Sequence, residues 1–329
     1  MKTREYEHLV KPLKWREGPK GLYSNKLFWM EGKDLEGFSA NYSFQFVKTP
    51  CRMHPLEGMV AHPYNEVLCF ASANCNDILE LGAKVTVILG AEQEEYSFTE
   101  SHFVCVPAGI PHAVRVDSVE RPFVHYTIGL ASNYKGFYIA PDDMMLPQKD
   151  KKYAELVRLF VGTIDPLTGK KLVKDANSSV DERGVRHPSK NQHRGFTGPG
   201  NADNLIWIYG PDCLNFELNF LYSQCSGCGI WHRGGTSHAH PEEEMLIIAG
   251  QNADDPFDIG AELELAMGEE DERYASSVPS VFIMPRGFTH LPETTRWCDK
   301  PFAFMVVGIE SMHGTPWKDE KGNAISISG

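Results

Sequence analysis

The sequence predicts an all-β protein built from two tandem barrels of the jelly-roll type. Three observations support this fold class: a long internal repeat, short β-branched or aromatic segments that end in Gly or Pro, and too little space in either repeat for crossover helices. At 329 residues the chain is long enough for two domains that each bury their own core without disulfides.

The internal repeat is found by adding 178 to a residue number, because two long stretches then coincide without a gap. The matched positions combine turn glycines, a proline and side chains that can bind metal. They pair Trp29 with Trp207, Gly32 with Gly210, Asn41 with Asn219, His54 with His232, His62 with His240, Glu66 with Glu244, Gly90 with Gly268, Pro107 with Pro285 and His112 with His290. After one inserted residue the match continues at an offset of 179, where Gly129 corresponds to Gly308. This pattern indicates the duplication of one domain.

Each repeat has the pattern of successive short strands. Along 261–267, apolar residues alternate with Glu262 and Glu264, which is the period of a strand with one buried face. The runs at 84–90, 103–107 and 281–285 are β-branched or aromatic and close with Gly or Pro.

The repeats and the segments around them divide the chain into five parts. We expect an N-terminal arm at 1–26, barrels at 27–131 and 205–310, a connecting segment at 132–204 and a C-terminal tail at 311–329. The connecting segment is expected to be partly helical, because Tyr153, Leu156, Val157 and Phe160 recur at helical spacing.

Composition argues against several classes of partner. A net charge of -12 and the lack of a basic run exclude the electrostatics of nucleic-acid binding. We find no signal peptide and no apolar stretch of the roughly 20 residues that span a bilayer. The sequence therefore predicts a cytoplasmic protein with no nucleic-acid or membrane partner, whose eight cysteines are reduced thiols.

Four residues of the second repeat form a candidate metal site. His238 and His240 are two residues apart, so on a strand their imidazoles lie on the same face. Glu244 follows, and His290 begins a later strand after a turn. Three imidazoles and one carboxylate suit Mn, Fe, Co, Ni, Cu or Zn.

These residues resemble the two motifs of the cupin superfamily, His-x-His-x-x-x-Glu ending near a glycine, here Gly250, and Pro-x-Gly-x-x-His. The resemblance covers both repeats, so the chain is identified as a bicupin. It implies two double-stranded β-helix barrels and one divalent metal in the C-terminal barrel, held by His238, His240, Glu244 and His290 with open positions facing the barrel mouth.

The first repeat departs from this motif, because Val60 stands where His238 stands. His62, Glu66 and His112 remain, and two histidines with one carboxylate can form a facial triad. A barrel that has lost one ligand can equally be a structural half, so we expect weak or absent metal binding here.

Catalytic residues are not identified by the sequence, which offers only candidates. His232 and its repeat partner His54 could line the cavities or form a structural pair. Arg286 could bind a substrate carboxylate or simply be an exposed loop residue. Glu242 could act as acid or base or belong to a solvated rim, and Tyr64 occupies its place in the first repeat.

The function expected from these features is that of a metal-dependent enzyme acting on a small oxygenated molecule, such as a carboxylate, hydroxyketone or phenol. The likeness to cupin dioxygenases makes oxygen insertion the first hypothesis. Non-oxidative decarboxylation, isomerisation or hydrolysis fits the same ligands. A noncatalytic small-molecule-binding or storage-type bicupin is the rival from another class, and association into a homodimer is compatible with the fold.

Overall fold

A computed structural model describes residues 4–143, 151–164, 202–230 and 237–314, with the backbone of 317–318 and 324–325. Over these residues the chain is β-structure with short 3-10 turns, which confirms the predicted all-β class. It forms two compact units, residues 13–160 and residues 1–12 with 161–329. The barrel limits predicted from the sequence lie inside these units. Among the described residues, no helix is long and apolar enough to cross a membrane.

The unit of residues 13–160, called here the N-terminal barrel, consists of two antiparallel sheets. One sheet has, in spatial order, Trp15–Arg16, Leu27–Met30, Asn41–Val47, Phe123–Gly129, Glu66–Ser72, His102–Val106 and Val157–Leu159. The other has Phe137–Ile139, Met59–Ala61, His112–Val119, Glu80–Leu89 and Glu94–Glu100, with Cys51–Met53 also paired to His112–Val119. Short 3-10 turns lie at Gly32–Asp34, Pro141–Asp143 and Ala154–Leu156.

The second unit, called here the C-terminal barrel, repeats this arrangement. One sheet has Val10–Pro12, Ser280–Met284, Glu244–Gly250, Phe302–Gly308, Asn219–Cys225 and Ala202–Ile208. The other has Gly229–Ile230, His290–Cys298, Ala261–Met267 and Glu272–Ser276, and a separate ribbon joins Trp317–Lys318 to Ala324–Ile325. Turns of 3-10 type lie at Glu7–Leu9 and Gly210–Asp212.

The central strands of both barrels are buried along their whole length. Glu66–Ser72 in the N-terminal barrel and Glu244–Gly250 in the C-terminal barrel are covered at every position. Each begins with a glutamate and continues with apolar side chains, as expected for a strand that is shielded on both faces. A carboxylate is thereby placed inside each barrel, where only a charged partner or a metal can offset its burial.

A short arm extends one sheet of each barrel. Val10–Pro12 pairs with Ser280–Met284, and Val157–Leu159 pairs with His102–Val106. The tyrosine before each arm strand is held in the same way. Tyr6 donates its backbone N–H to the hydroxyl of Tyr274 at 2.9 Å, and Tyr153 donates to that of Tyr96 at 3.0 Å.

Both arm tyrosines lie against a glycine that the repeat preserves. Gly90 and Gly268 have left-handed φ values of 74° and 77°. A Cβ atom at either position would lie 2.1 Å from the ring of Tyr153 or Tyr6, respectively. The duplicated element therefore includes the arm as well as the barrel.

The helix predicted at 153–160 is wrong in extent. The structure has a single 3-10 turn, Ala154–Leu156, followed by the strand Val157–Leu159. Leu156 and Phe160 are buried as expected. The available edge of His102–Val106 offers the backbone of this segment ladder hydrogen bonds, so tertiary pairing overrides a spacing that also fits a helix.

Candidate metal centres

Of the four ligands predicted in the C-terminal barrel, the three histidines have donor atoms within 4.8 Å of one another, and Glu244 lies close to two of them. His238 and His290 face each other across an isolated antiparallel bridge, with backbone hydrogen bonds of 3.0 and 2.9 Å. The side chain of Glu244 reaches them from the start of its strand. Its Oε2 lies 3.3 Å from Nε2 of His290 and 3.5 Å from Nε2 of His240.

Hydrogen bonds to the other ring nitrogens set the direction of these imidazoles. Nδ1 of His240 donates to the carbonyl of Gly314 at 2.6 Å, and Nδ1 of His290 donates to that of Phe288 at 3.1 Å. A carbonyl can only accept, so the proton is on Nδ1 and the Nε2 lone pair points inward. Nε2 of His238 lies 2.8 Å from Nε2 of His240. Because His240 carries its proton on Nδ1, His238 is the donor in this contact. His240 and His290 therefore have the tautomer and orientation that a metal-binding imidazole needs.

The electrostatics of this centre also fit a cation. Burial lowers the pKa of His240 to about 3, so the ring is neutral at neutral pH. Burial alone would raise the pKa of Glu244, but the imidazoles of His240 and His290 hold it well below its usual range. The buried Oε2 of Glu244 makes no hydrogen bond. A divalent metal would satisfy this oxygen and the inward nitrogens together.

Two further ionisable side chains, Glu242 and His313, lie beside this donor set. Nδ1 of His313 is 2.9 Å from Oε1 of Glu242, without the alignment of a hydrogen bond, and 4.0 Å from Oε1 of Glu244. The ring of His313 lies 4.1 Å from that of His240 and 4.8 Å from that of Trp207. His240, Glu242 and His313 are close enough to hold a metal themselves. Glu242 is fully buried, so it is not part of a solvated rim.

The sequence analysis missed His313 because it followed the repeat only to Gly308. The register continues beyond that point at an offset of 179. Gly32 donates its N–H to the carbonyl of Ser132 at 2.6 Å, and Gly210 donates to that of Ser311 at 2.7 Å. His313 therefore takes the place of Tyr134, and only the positional register, not residue identity, could have revealed it.

The N-terminal barrel also gathers a donor set, and His54 completes it. Oε2 of Glu66 lies 3.0 Å from Nε2 of His54, 3.2 Å from that of His62 and 3.3 Å from that of His112. The four donor atoms lie within 4.8 Å of one another, and all four residues are buried. Three of them were predicted as a candidate site; His54 was predicted to line the cavity or to form a structural pair with His232.

His54 is an additional histidine in the donor set whose motif lacks one. Val60 pairs with His112 just as His238 pairs with His290, so the valine occupies the position of the lost ligand. His54 reaches the same donor set from the end of strand Cys51–Met53, with a left-handed φ of 51°. Its repeat partner, His232, lies outside the described residues.

The residues next to the donors differ between the barrels. Tyr64 stacks on His62 at 5.1 Å, and Tyr134 meets the same ring edge-on at 5.2 Å. These two tyrosines occupy the positions of Glu242 and His313 in the C-terminal barrel. The N-terminal centre is therefore bordered by aromatic rings where the C-terminal centre has a carboxyl and an imidazole.

Arg286 remains a weak candidate. Its side chain is exposed, and its guanidinium donates to the carbonyl of Pro241 at 3.0 Å. This contact ties the second motif's loop to the segment that carries Glu242. No described contact connects Arg286 to the donor atoms.

Glu293 is a buried carboxyl in the C-terminal barrel that the sequence did not indicate. Its backbone pairs with Leu265. In the N-terminal barrel the equivalent of Leu265 is Val87, which pairs with Val114, so Glu293 takes the place of a valine. The inserted residue of the second repeat lies just before it, in a strand irregularity at 291–292. Burial, with a smaller contribution from Glu244, raises the pKa of Glu293 well above its usual range.

No protein-family model and no curated protein sequence matches the chain. Among solved structures, the chain is similar to oxalate decarboxylase from Bacillus subtilis. A serine-to-alanine mutant of that enzyme has a TM-score of 0.54 and 9% identity, over 93% of this chain and 78% of that chain. The enzyme at pH 4.6 has a TM-score of 0.54 and 9% identity, over 93% of this chain and 77% of that chain. A tryptophan-to-phenylalanine variant has a TM-score of 0.53 and 10% identity, over 93% of this chain and 78% of that chain. The predicted fold of two tandem cupin barrels is confirmed.

Proposed function

We propose that this chain is a metal-dependent carboxy-lyase that releases CO2 from a small carboxylic acid at its C-terminal centre. The observation that carries the proposal is the presence of Glu242 and His313 directly beside the donor set of His238, His240, Glu244 and His290. The similarity in fold to oxalate decarboxylase supports this non-oxidative interpretation over the dioxygenase-like one that the sequence favoured.

Decarboxylation makes two demands on a site. The carbon–carbon bond to the carboxylate breaks, its electron pair stays on the substrate carbon, and a proton must reach that carbon. No net oxidant is consumed. When bound, a divalent metal supplies the Lewis acidity that holds and polarises the carboxylate. The protein must supply the proton and exclude competing water.

We assign the proton transfer to His313, with Glu242 as its positioning partner. His313 is 10% exposed and Glu242 is fully buried, so the imidazole is the member of the pair that can exchange protons with solvent. The carboxyl group of Glu242, 2.9 Å from Nδ1, is close enough to hold the imidazole in place beside the donor set. The predicted ligands are each at most 3% exposed, which keeps bulk water from the donor atoms.

The proposal is tested by turnover assays with stoichiometry. The metal-stripped protein is reconstituted separately with Mn²⁺, Fe²⁺, Co²⁺ or Zn²⁺ and assayed against oxalate and other small mono- and dicarboxylic acids. We expect CO2 release without stoichiometric oxygen uptake, and one solvent deuterium on the product carbon when the reaction runs in D2O.

Two results would overturn this assignment. Consumption of one O2 per turnover would restore the dioxygenase hypothesis. Saturable acid binding without any turnover, with each metal in place, would favour the noncatalytic bicupin. Cytoplasmic location and homodimer formation are separate from this test and stay predictions.

A further inference from the structure

We propose that the N-terminal barrel holds a second, independent transition-metal site. In this site His54 supplies the ligand that is missing because Val60 stands in place of the motif histidine. The ligands are His54, His62, Glu66 and His112. This inference does not depend on the decarboxylase proposal, because it concerns metal binding in the other barrel.

The first argument is the orientation of the three imidazoles. Nδ1 of His62 donates to the carbonyl of Lys135 at 2.9 Å, and Nδ1 of His112 donates to that of Ile110 at 3.1 Å. Nδ1 of His54 lies 3.0 Å from the hydroxyl of Tyr23, a group that can accept the same kind of bond. Each ring is therefore fixed with Nε2 toward Glu66, as in metal centres whose ligands are held by outer hydrogen bonds.

The second argument is what the cluster lacks without a cation. Nε2 of His62 and Nε2 of His112 are buried and make no hydrogen bond. Leaving a buried polar atom unsatisfied costs roughly 1–3 kcal/mol. Nε2 of His54 is hydrogen-bonded to Oε2 of Glu66 at 3.0 Å. One divalent ion at the centre of the four donors would satisfy the two free nitrogens and take the place of this bond.

The backbone conformation and position of His54 also support a ligand role. Its left-handed φ of 51° is uncommon for a residue other than glycine, and such conformations cluster at functional sites. Its backbone N–H donates to the carbonyl of Leu22 at 2.8 Å, which fixes the turn. Tyr23, which follows Leu22, contacts the imidazole of His54 through its hydroxyl. The loop at 22–23 therefore supports His54 through both its backbone and its side chain.

The absence of an acid–base pair separates this site from the C-terminal one. Tyr64 and Tyr134 border His62 where the other barrel has Glu242 and His313. We therefore assign the N-terminal metal to holding the barrel together, because its ligands come from three separated parts of the chain, at 54, 62–66 and 112, that one ion would cross-link.

The test is a Co²⁺ titration of the full-length, EDTA-stripped protein, followed by visible absorption and by elemental analysis after desalting. We expect two ions per chain in the wild type and one in His290→Ala. In the His290→Ala background, His54→Gln should weaken binding of the remaining ion by at least about 100-fold, and Tyr23→Phe by about 10- to 100-fold. His125→Phe is the matched control, because this buried imidazole lies outside the donor set, and it should keep both ions.

Restoring the motif provides a gain of function. Adding Val60→His to His54→Gln should return the second ion, because it rebuilds the histidine pair seen at His238 and His240. Circular dichroism and thermal melting of each metal-free variant report folding separately. Unchanged stoichiometry in His54→Gln would overturn the proposal, as would a wild-type protein whose single ion is lost in His290→Ala.

Discussion

The two barrels share a scaffold and differ in the side chains that surround their donor atoms. Asn41 bonds the carbonyl of Ala131 at 2.9 Å in one barrel, and Asn219 bonds that of Glu310 at 3.0 Å in the other. Arms, glycines and sheet register repeat as well. The duplication has therefore kept what positions a cation while changing the residues that could react beside it.

Three exchanges define the difference. The first barrel has Val60 at the position equivalent to His238, and His54 joins its donor set instead. The first barrel has Tyr64 and Tyr134 at the positions equivalent to Glu242 and His313. We infer that chemistry is concentrated in the C-terminal barrel and that the N-terminal centre serves stability.

The largest effect is expected from removing one motif histidine from each barrel. His290→Ala should lower kcat/KM by roughly 10³-fold or more, because loss of metal removes several kcal/mol of Lewis-acid stabilisation. His112→Ala should leave kcat within about tenfold and lower the melting temperature instead. Parallel turnover assays, melting curves and metal analysis check this, and equal activity losses in both variants would contradict the division of roles.

The next effect concerns the acid–base pair. His313→Tyr copies the residue of the other barrel and should lower kcat by about 10²- to 10⁴-fold, the usual contribution of general acid–base catalysis. Metal content should not change. Tyr134→Phe is the matched control at the equivalent position and should retain activity. A His313→Tyr enzyme with wild-type kcat and pH profile would remove His313 from the mechanism.

A smaller effect tests whether the arms are equivalent. Gly90→Ala and Gly268→Ala each place a Cβ against an arm tyrosine in left-handed backbone. Each should lower the free energy of unfolding by at least about 1–2 kcal/mol from the backbone conformation alone. Urea denaturation monitored by circular dichroism measures both, and a loss in only one variant would show that one arm is dispensable.

The last prediction is a gain of stability at Glu293. In the metal-free folded protein this carboxyl keeps its proton above pH 4.5, the ordinary pKa of a glutamic acid, whereas the unfolded chain loses it there. Stability should therefore fall as pH rises from about 4.5 toward the folded pKa, by about 1.4 kcal/mol for each unit between the two values. Glu293→Val, which copies Val114, should remove this slope and raise stability at pH 7.

Urea denaturation in EDTA between pH 4.5 and 8 tests that sign. Glu293→Gln serves as a control that removes the titration while keeping a polar side chain. If wild type and both variants show the same slope, Glu293 does not carry a raised pKa in the folded state.

The fold is confirmed, and it was predicted from the internal repeat and the alternation along the strands. The C-terminal donor set stays a prediction, made from the spacing of the histidines and the resemblance to the two cupin motifs. His238 and His240 share a strand face, and the repeat placed His290 at the equivalent of His112. The same reasoning underestimated His54, since its role depends on a turn and on Tyr23, which no motif records. It missed Glu293 because a single inserted residue changes which side chain points inward.

Secondary structure around the arms shows the same limit. Tyr153, Leu156 and Phe160 fit a helical spacing, yet pairing with His102–Val106 decides the conformation. Local propensity is weak where an open sheet edge offers hydrogen bonds.

The account is tested most directly by anomalous diffraction at the metal edge from crystals of the reconstituted protein. It predicts two peaks per chain. One should lie about 2.0–2.2 Å from Nε2 of His54, His62 and His112, and the other at similar distances from Nε2 of His238, His240 and His290. A C-terminal peak bound by Glu242 and His313 instead, or an N-terminal barrel without any peak, would contradict it.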